Sequence, residues 1–241
     1  MENIALLAKW LQDSQSTVVF TGAGMSTEAG LPDFRSKDGL WKKKDPRQLA
    51  SIDAMKRNPE EFYDFYRMRL HNLGLADPHK GHKILAQWEQ RGLIKGIITQ
   101  NVDGLHHRAG SNNVVELHGT LREAVCIKCQ KVYPSDKLLE EKIPQCDCQG
   151  KIKPGVILFG ERLPVDALEK ADTLSRESKL FIVIGSSLEV SPANYFPSLA
   201  RQMGAKLVII NLEPTMLDYE ADLLIKGKAG EVLEQVEKLV K

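Results

Sequence analysis

Four cysteines fall within one short window, Cys126-Ile127-Lys128-Cys129 and Cys146-Asp147-Cys148. A disulfide framework spreads its cysteines to staple distant segments, whereas a metal knot collects them locally. The Cys-x2-Cys pair and the sixteen residues before the second pair match a structural zinc ribbon. The second pair has one intervening residue where two are commoner, which constrains the loop without excluding a single ion. Four thiolates leave no open position for a substrate, so the expected zinc is structural. A second kind of chemistry lies in the turns. The apolar run Thr17-Val18-Val19-Phe20 leads directly into Thr21-Gly22-Ala23-Gly24, where glycines let backbone N–H groups approach a phosphate. Thr27 stands where a third glycine is usual, and its hydroxyl suits a helix cap or a phosphate or ribose contact. The tripeptide alone also fits an ordinary strand–helix turn. Gly185-Ser186-Ser187 after a second apolar run, and Asn211 with Glu213 after a third, strengthen the nucleotide reading. His118 is the candidate base, because imidazole titrates near neutral pH. A lone histidine at a strand end is usually structural; here Gln100, Asn101 and Asp103 end the neighbouring strand and favour chemistry.

Short β-branched runs separated by helical stretches must position these residues. That alternation predicts an α/β fold, a Rossmann-like parallel sheet flanked by helices. Strands are expected at 17–20, 94–99, 114–117, 180–184, 206–210 and 223–225. Helices are expected at 3–12, 59–72, 80–91, 165–177, 193–203 and 230–240, the last with Val232, Leu233, Val236, Leu239 and Val240 on one face. Residues 31–75, with an aromatic-rich helix (Phe62, Tyr63, Phe65, Tyr66), and residues 121–154, with the cysteines, break the alternation. Both read as insertions forming a small lobe on a nucleotide-binding domain of 1–30, 76–120 and 155–241, with a ligand cleft between the lobes. His71, His79 and His82 lie in or beside helices, where solvated or capping roles are expected; His106 and His107 follow the Asp103 turn and could shape the site.

Composition removes other classes. The 241 residues are 42% hydrophobic and 27% charged, the balance of a globular protein. Lys+Arg total 33 against 32 Asp+Glu, for a net charge of +1, which argues against nucleic acid as the main partner. No apolar run approaches a bilayer span of about 20 residues, and Met1-Glu2-Asn3 does not start a signal peptide, so no membrane partner and a cytoplasmic setting are expected.

Gly22-Ala23-Gly24-Met25-Ser26, Gly30-Leu31-Pro32-Asp33-Phe34-Arg35, Thr99-Gln100-Asn101-Val102-Asp103 and His118-Gly119, in that order and joined by the cysteine quartet, resemble the sirtuins. That family comprises NAD-dependent protein-lysine deacylases, and the resemblance runs from Val18 to the last helix. It implies NAD as a consumed cosubstrate, split to release nicotinamide while the acyl group passes from lysine to ADP-ribose. By the family pattern Phe34, Val102 and Asp103 line the nicotinamide pocket, with Asp103 bonding the carboxamide. Gln100 and Asn101 hold the ribose and a water, and Arg35 sits near the phosphates or ribose on a closing loop. Asp33 and Ala229 join the implied cofactor set, and Asn101, Asp103 and His118 the catalytic one, His118 taking a proton from a ribose hydroxyl.

The resemblance also implies an acyl-lysine peptide substrate. It would pair as a strand with Gly155-Val156-Ile157-Leu158-Phe159-Gly160-Glu161 on one side and the Val190-Ser191 stretch on the other, with loose sequence selectivity. Family members usually carry Asp or Asn where Gly155 stands. Tyr66 and Arg69, three apart on a helix, match the Tyr-x-x-Arg of sirtuins that prefer succinyl or malonyl lysine, whereas Asp33 and Thr27 depart from that branch. Deacetylation is therefore the expected activity, with desuccinylation or demalonylation as the alternative. Mono-ADP-ribosylation is a plausible side activity. Two other classes were weighed: a hydride-transferring oxidoreductase, disfavoured by the incomplete glycine fingerprint, and a non-catalytic zinc-ribbon module. A monomer is slightly favoured over an oligomer.

Overall fold

The structure, a computed structural model, describes residues 2–34, Gly39 and 45–240. Strands in chain order are β1 (Thr17–Thr21), β2 (Gly96–Thr99), β3 (Val114–Glu116), β4 (Gly119–Cys126), β5 (Val132–Pro134), β6 (Ile152–Val156), β7 (Leu180–Ile184), β8 (Lys206–Asn211) and β9 (Leu223–Lys226). Helices are α1 (Glu2–Asp13), α2 (Pro46–Leu49), α3 (Ile52–Arg57), α4 (Pro59–Leu75), α5 (Lys80–Gln90), α6 (Leu105–Arg108), α7 (Lys137–Glu140), α8 (Val165–Glu177), α9 (Tyr195–Gln202) and α10 (Ala229–Glu237).

Six strands form a parallel sheet in the order β3-β2-β1-β7-β8-β9. Every residue of β1 and β7 is buried, as helices on both faces require, so these strands read as unbroken apolar runs rather than alternating ones. Side chains still alternate between faces. Val19, Ile97, Ile182 and Val208 pack with Leu7, Leu11, Leu85, Trp88 and Leu233 of α1, α5 and α10. Val18, Phe20, Phe181 and Val183 pack with Ala167, Ala171, Phe196 and Leu199 of α8 and α9. From β1 the chain builds outward through β2 and β3; from β7 it builds the other way through β8 and β9. The reversal falls between β1 and β7, and a crevice at the carboxyl ends of strands at such a point is where open α/β sheets bind ligands.

The expected strand 94–99 starts two residues late, because the Leu93 and Ile94 N–H groups donate to the Trp88 carbonyl and close α5. The strand at 114 ends at Glu116, before Leu117, and the last helix ends at Glu237.

A second sheet, antiparallel and ordered β5-β4-β6, carries the cysteines at its edge. It shares a third core with α3 and α4: Met55, Phe62, Tyr63 and Tyr66 meet Leu121, Ala124, Ile152 and Val156. The Tyr63 hydroxyl donates to the Ile152 carbonyl at 2.9 Å, joining helix to sheet. No helix among the described residues is long and apolar enough to cross a membrane.

Candidate active site

The turns after β1 and β7 touch backbone to backbone. Gly24 N–H donates to the Gly185 carbonyl at 2.8 Å, and Gly22 N–H to the Ile184 carbonyl at 3.1 Å. A Cβ at Gly24 would lie 2.8 Å from the Gly185 Cα, and Gly185 sits at φ +63°, so neither position accepts a side chain without displacement. These turns form one wall of a cavity of about 870 Å³ that runs along the sheet edge toward the second sheet, within the usual size of a small-molecule site.

Around the cavity the structure brings together Gly22, Ala23, Gly24 and Thr27 after β1, Gln100 to Asp103 after β2, His118 after β3, Gly185 to Ser187 after β7, and Asn211 and Glu213 after β8. Asp33 and Phe34 reach it from the first turn region, Tyr66 and Arg69 from α4, Ile157, Phe159, Gly160 and Glu161 beyond β6, and Val190 beyond β7. Arg35 lies outside the described residues. Ala229 lies outside the cavity lining, at the start of α10, where it packs with Val232 and Leu233.

Hydrogen bonds order the cluster. The Ser26 hydroxyl donates to Asp103 Oδ2 at 2.7 Å, and Asn101 Nδ2 donates to the Gly22 carbonyl at 3.0 Å and to Ser26 Oγ at 3.2 Å. Asp103 Oδ1 also accepts the Leu105 N–H at 2.9 Å. Burial outweighs these bonds and pushes the Asp103 carboxyl above the ordinary range. Gln100 Nε2 donates to Ser186 Oγ at 2.8 Å, linking the β2 and β7 ends. Thr27 uses its hydroxyl locally, donating to the Gly24 carbonyl at 3.0 Å. Ser26 is the functional side chain sequence reasoning passed over; its place in the glycine motif was the available signal.

His118 Nδ1 lies 3.1 Å from the Gln100 carbonyl. A carbonyl only accepts, so Nδ1 carries the proton and Nε2 keeps a lone pair. Burial holds this imidazole below the ordinary histidine range, against the opposing effect of the Gln100 bond. The imidazole is therefore neutral and singly oriented.

Of the other histidines, His82 differs from expectation. His79 does cap α5, accepting the Gly81 N–H at 3.0 Å while its Nε2–H donates to the Met25 carbonyl at 2.6 Å. His82 is neither solvated nor a cap: it is fully buried, and burial lowers it to about 2. His106, held down to about 3 by burial, contacts Thr21 Oγ1 at 3.0 Å. Both stay neutral because the parallel sheet and α5 leave no water to solvate a charge.

Tyr66 and Arg69 meet at the inner end of the cavity. Burial pushes the Tyr66 hydroxyl up to about 12. The Arg69 guanidinium lies 5.4 Å from the Phe34 ring and 5.8 Å from those of Phe65 and Tyr66. Arg69 is thus a cation walled by aromatic faces and not a solvated helix charge.

Cys126, Cys129, Cys146 and Cys148 place their Sγ atoms within 4.8 Å of one another, away from the cavity. Cys126 and Cys148 are 3.5 Å apart, and Cys129 and Cys146 3.6 Å. Tetrahedral Zn–S bonds of about 2.3 Å require S···S separations of about 3.8 Å, so the donor set fits one zinc. Gly155, where a larger residue is usual, is closely covered: a Cβ there would lie 3.0 Å from the Thr120 and Glu123 carbonyl oxygens.

A parallel-sheet nucleotide cleft, a positioned neutral histidine and a four-thiolate module define an α/β enzyme that holds a nucleotide beside a second substrate. The chain matches the Sir2 family over residues 22–192 and belongs to that family. It is similar to the NAD-dependent protein deacetylase of Oceanobacillus iheyensis, 51% identical over 233 residues, covering 96% of this chain and 98% of that one. The NAD-dependent protein deacylase 2 of Archaeoglobus fulgidus is 44% identical over 246 residues, covering 100% and 97%. Among solved structures, a Sir2 histidine-to-alanine mutant with deacetylated p53 peptide and 3'-O-acetyl ADP ribose superposes with a TM-score of 0.93 at 41% identity, covering 98% of this chain and 97% of that chain. A Sir2–p53 peptide–NAD+ structure gives a TM-score of 0.89 at 41% identity, covering 97% and 96%.

Proposed function

We propose that this chain removes acetyl groups from lysine side chains of proteins, consuming NAD, with His118 as the general base. The observation that carries the reading is the His118–Gln100 bond: it leaves a neutral Nε2 on the same cavity as the paired glycine turns. NAD, when bound, supplies the ribose hydroxyl and the acyl acceptor. The chain supplies the rest. The closely packed glycine turns after β1 and β7 leave room at the carboxyl ends of the strands for the pyrophosphate. Asp103 and Asn101, fixed through Ser26, bind the nicotinamide and ribose end, and Phe34 and Val102 close that pocket against water. Asn211 and Glu213 serve the far ribose. Nε2 of His118 takes the hydroxyl proton. The peptide adds as a strand between Ile157–Glu161 and Val190.

The three-stranded sheet with α3 and α4 forms a small lobe and the six-stranded sheet a nucleotide lobe, meeting at the cavity. The substrate is an acyl-lysine segment of another protein, and four free thiols suited to a reduced compartment support work in the cytoplasm. Cys126, Cys129, Cys146 and Cys148 would hold a zinc that braces the small sheet, and four thiolate ligands would leave it no open position for a substrate. Family membership sets aside the oxidoreductase and the non-catalytic module.

One observation favours a second acyl group. Arg69, ringed by Phe34, Phe65 and Tyr66 at the cavity, can receive a carboxylate, as a succinyl or malonyl lysine would offer. Mass spectrometry of one reaction holding NAD with equimolar acetyl-lysine and succinyl-lysine peptides tests both. O-acetyl-ADP-ribose and free lysine peptide are expected, lost in His118→Ala with fold and zinc retained. O-succinyl-ADP-ribose as the main product, abolished by Arg69→Met, would make the acid acyl group the true substrate; intact NAD would overturn the function.

A further inference from the structure

The peptide-facing segment is held by a residue outside the cavity. Lys153, in β6, is only 13% exposed at its side chain and pairs with Glu161 Oε2 at 3.0 Å, Glu161 being 21% exposed. The same ammonium donates to the Val156 carbonyl at 2.7 Å and to the Pro154 carbonyl at 3.4 Å. Glu161 Oε2 accepts in addition the Leu158 N–H at 2.7 Å, and the Glu161 N–H donates back to the Leu158 carbonyl at 2.9 Å. Each polar contact of this pair is therefore made to the other partner or to backbone of residues 154–158, and the ends of a nine-residue stretch are drawn together.

That stretch is tied to the rest of the site at two further points. Ile157 N–H donates to the His118 carbonyl at 2.8 Å, and Phe159 N–H to the Ala50 carbonyl at 2.9 Å, ahead of α3. Glu161 lines the cavity, whereas Lys153 does not. Beyond β6, residues 157–161 belong to no strand of the three-stranded sheet, so regular sheet pairing does not fix their height. A charge-assisted hydrogen bond is shorter and stronger than a neutral one, and leaving one member unpaired where water is largely excluded is costly.

We propose that Lys153 and Glu161 form a clasp that sets the position of the peptide ledge, Lys153 acting through Glu161 as a positioning residue and not as a substrate contact. The proposal rests on the reading of residues 155–161 as the peptide-pairing segment. A ledge already held in its binding geometry lowers the ordering cost of adding a peptide strand. That contribution is equal in ground and transition states, so its loss raises KM for peptide while sparing kcat.

The test is steady-state deacetylation by the zinc-loaded full chain, with acetyl-lysine peptide varied at saturating NAD and then the reverse. Lys153→Met is expected to raise KM for peptide about tenfold, with kcat and KM for NAD changed by less than about twofold. Lys153→Arg, which keeps charge and donors, is expected to recover most of the peptide affinity. A merely structural role would lower the active fraction, and hence kcat, with KM for peptide unmoved; that result overturns the clasp. Phe159→Ala alters the ledge with the clasp intact. A raised KM for peptide in Phe159→Ala but not in Lys153→Met overturns the clasp alone, and an unmoved KM in both overturns the peptide-segment reading as well. Should Lys153→Met fail to fold, Glu161→Gln carries the same test with an expected rise of about threefold, an unmoved KM again overturning the proposal.

Discussion

The two sheets reach the same cavity by different means. The six-stranded sheet buries both faces of its central strands between five helices and brings its β1 and β7 turns together backbone to backbone, Gly24 against Gly185. The three-stranded sheet has strands of eight, three and five residues, one core shared with α3 and α4, and a thiol cluster at its edge. Where apolar burial is large the fold stands by itself, and side chains at strand ends are released for chemistry. Where it is small, a metal and a partly buried ion pair must complete it. The first wall tolerates no side chain at Gly22, Gly24 or Gly185.

The largest expected break in that comparison is metal removal. Strong chelation, or Cys146→Ser, takes away a metal-binding free energy on the order of 10 kcal/mol that the small sheet cannot replace. Deacetylation is expected to be lost. Far-UV circular dichroism should keep the helical signal of the six-stranded domain, because its two cores contain none of the four cysteines. A cooperative loss of all secondary structure on chelation would show that the two sheets are one stability unit.

Next in size is Gly185→Ala. A non-glycine residue at φ +63° is strained, and the new methyl would meet the backbone of Gly24 and Met25. About 1–3 kcal/mol of strain is expected, together with a rise in KM for NAD on the order of a hundredfold and little change in KM for peptide. Equal losses toward both substrates in steady-state kinetics would mean that the glycine turns do not face the nucleotide alone.

How much of this was legible before folding follows the same division. The parallel strands were readable because burial on both faces writes continuous β-branched runs, and their polar ends stood out as Gly-Ala-Gly, Gln-Asn-Val-Asp and Gly-Ser-Ser. The cysteines were readable from spacing. Contacts set by the packing of distant segments were not. Ser26 acts only because Asp103 and Asn101 arrive 77 and 75 residues later, and His82 is driven neutral by a core that no local pattern announces. Nothing local marks Lys153 either: its partner Glu161 is returned to it by the turn at Gly160.

The smallest expected effect tests the wall built by the strand ends most finely. Burial places His118 below the ordinary histidine value of 6.5, and a base works only when neutral. Depressing its pKa extends the neutral form toward acid, so activity should be level through neutral pH and fall only as pH drops through a value below 6.5. The acid limb of kcat/KM for peptide, taken at saturating NAD, reads that titration in the NAD-bound enzyme before peptide binds. A limb at or above 6.5 would mean that solvent reaches the imidazole or that an anion stabilises its charged form. Gln100 offers a control without touching the base: it holds Nδ1 through its carbonyl, so Gln100→Ala keeps that bond and should leave the limb in place, while losing the Gln100–Ser186 link and weakening NAD binding. Movement of the limb in that variant would place the electrostatic control of His118 in the amide side chain and not in the burial and backbone of the strand end.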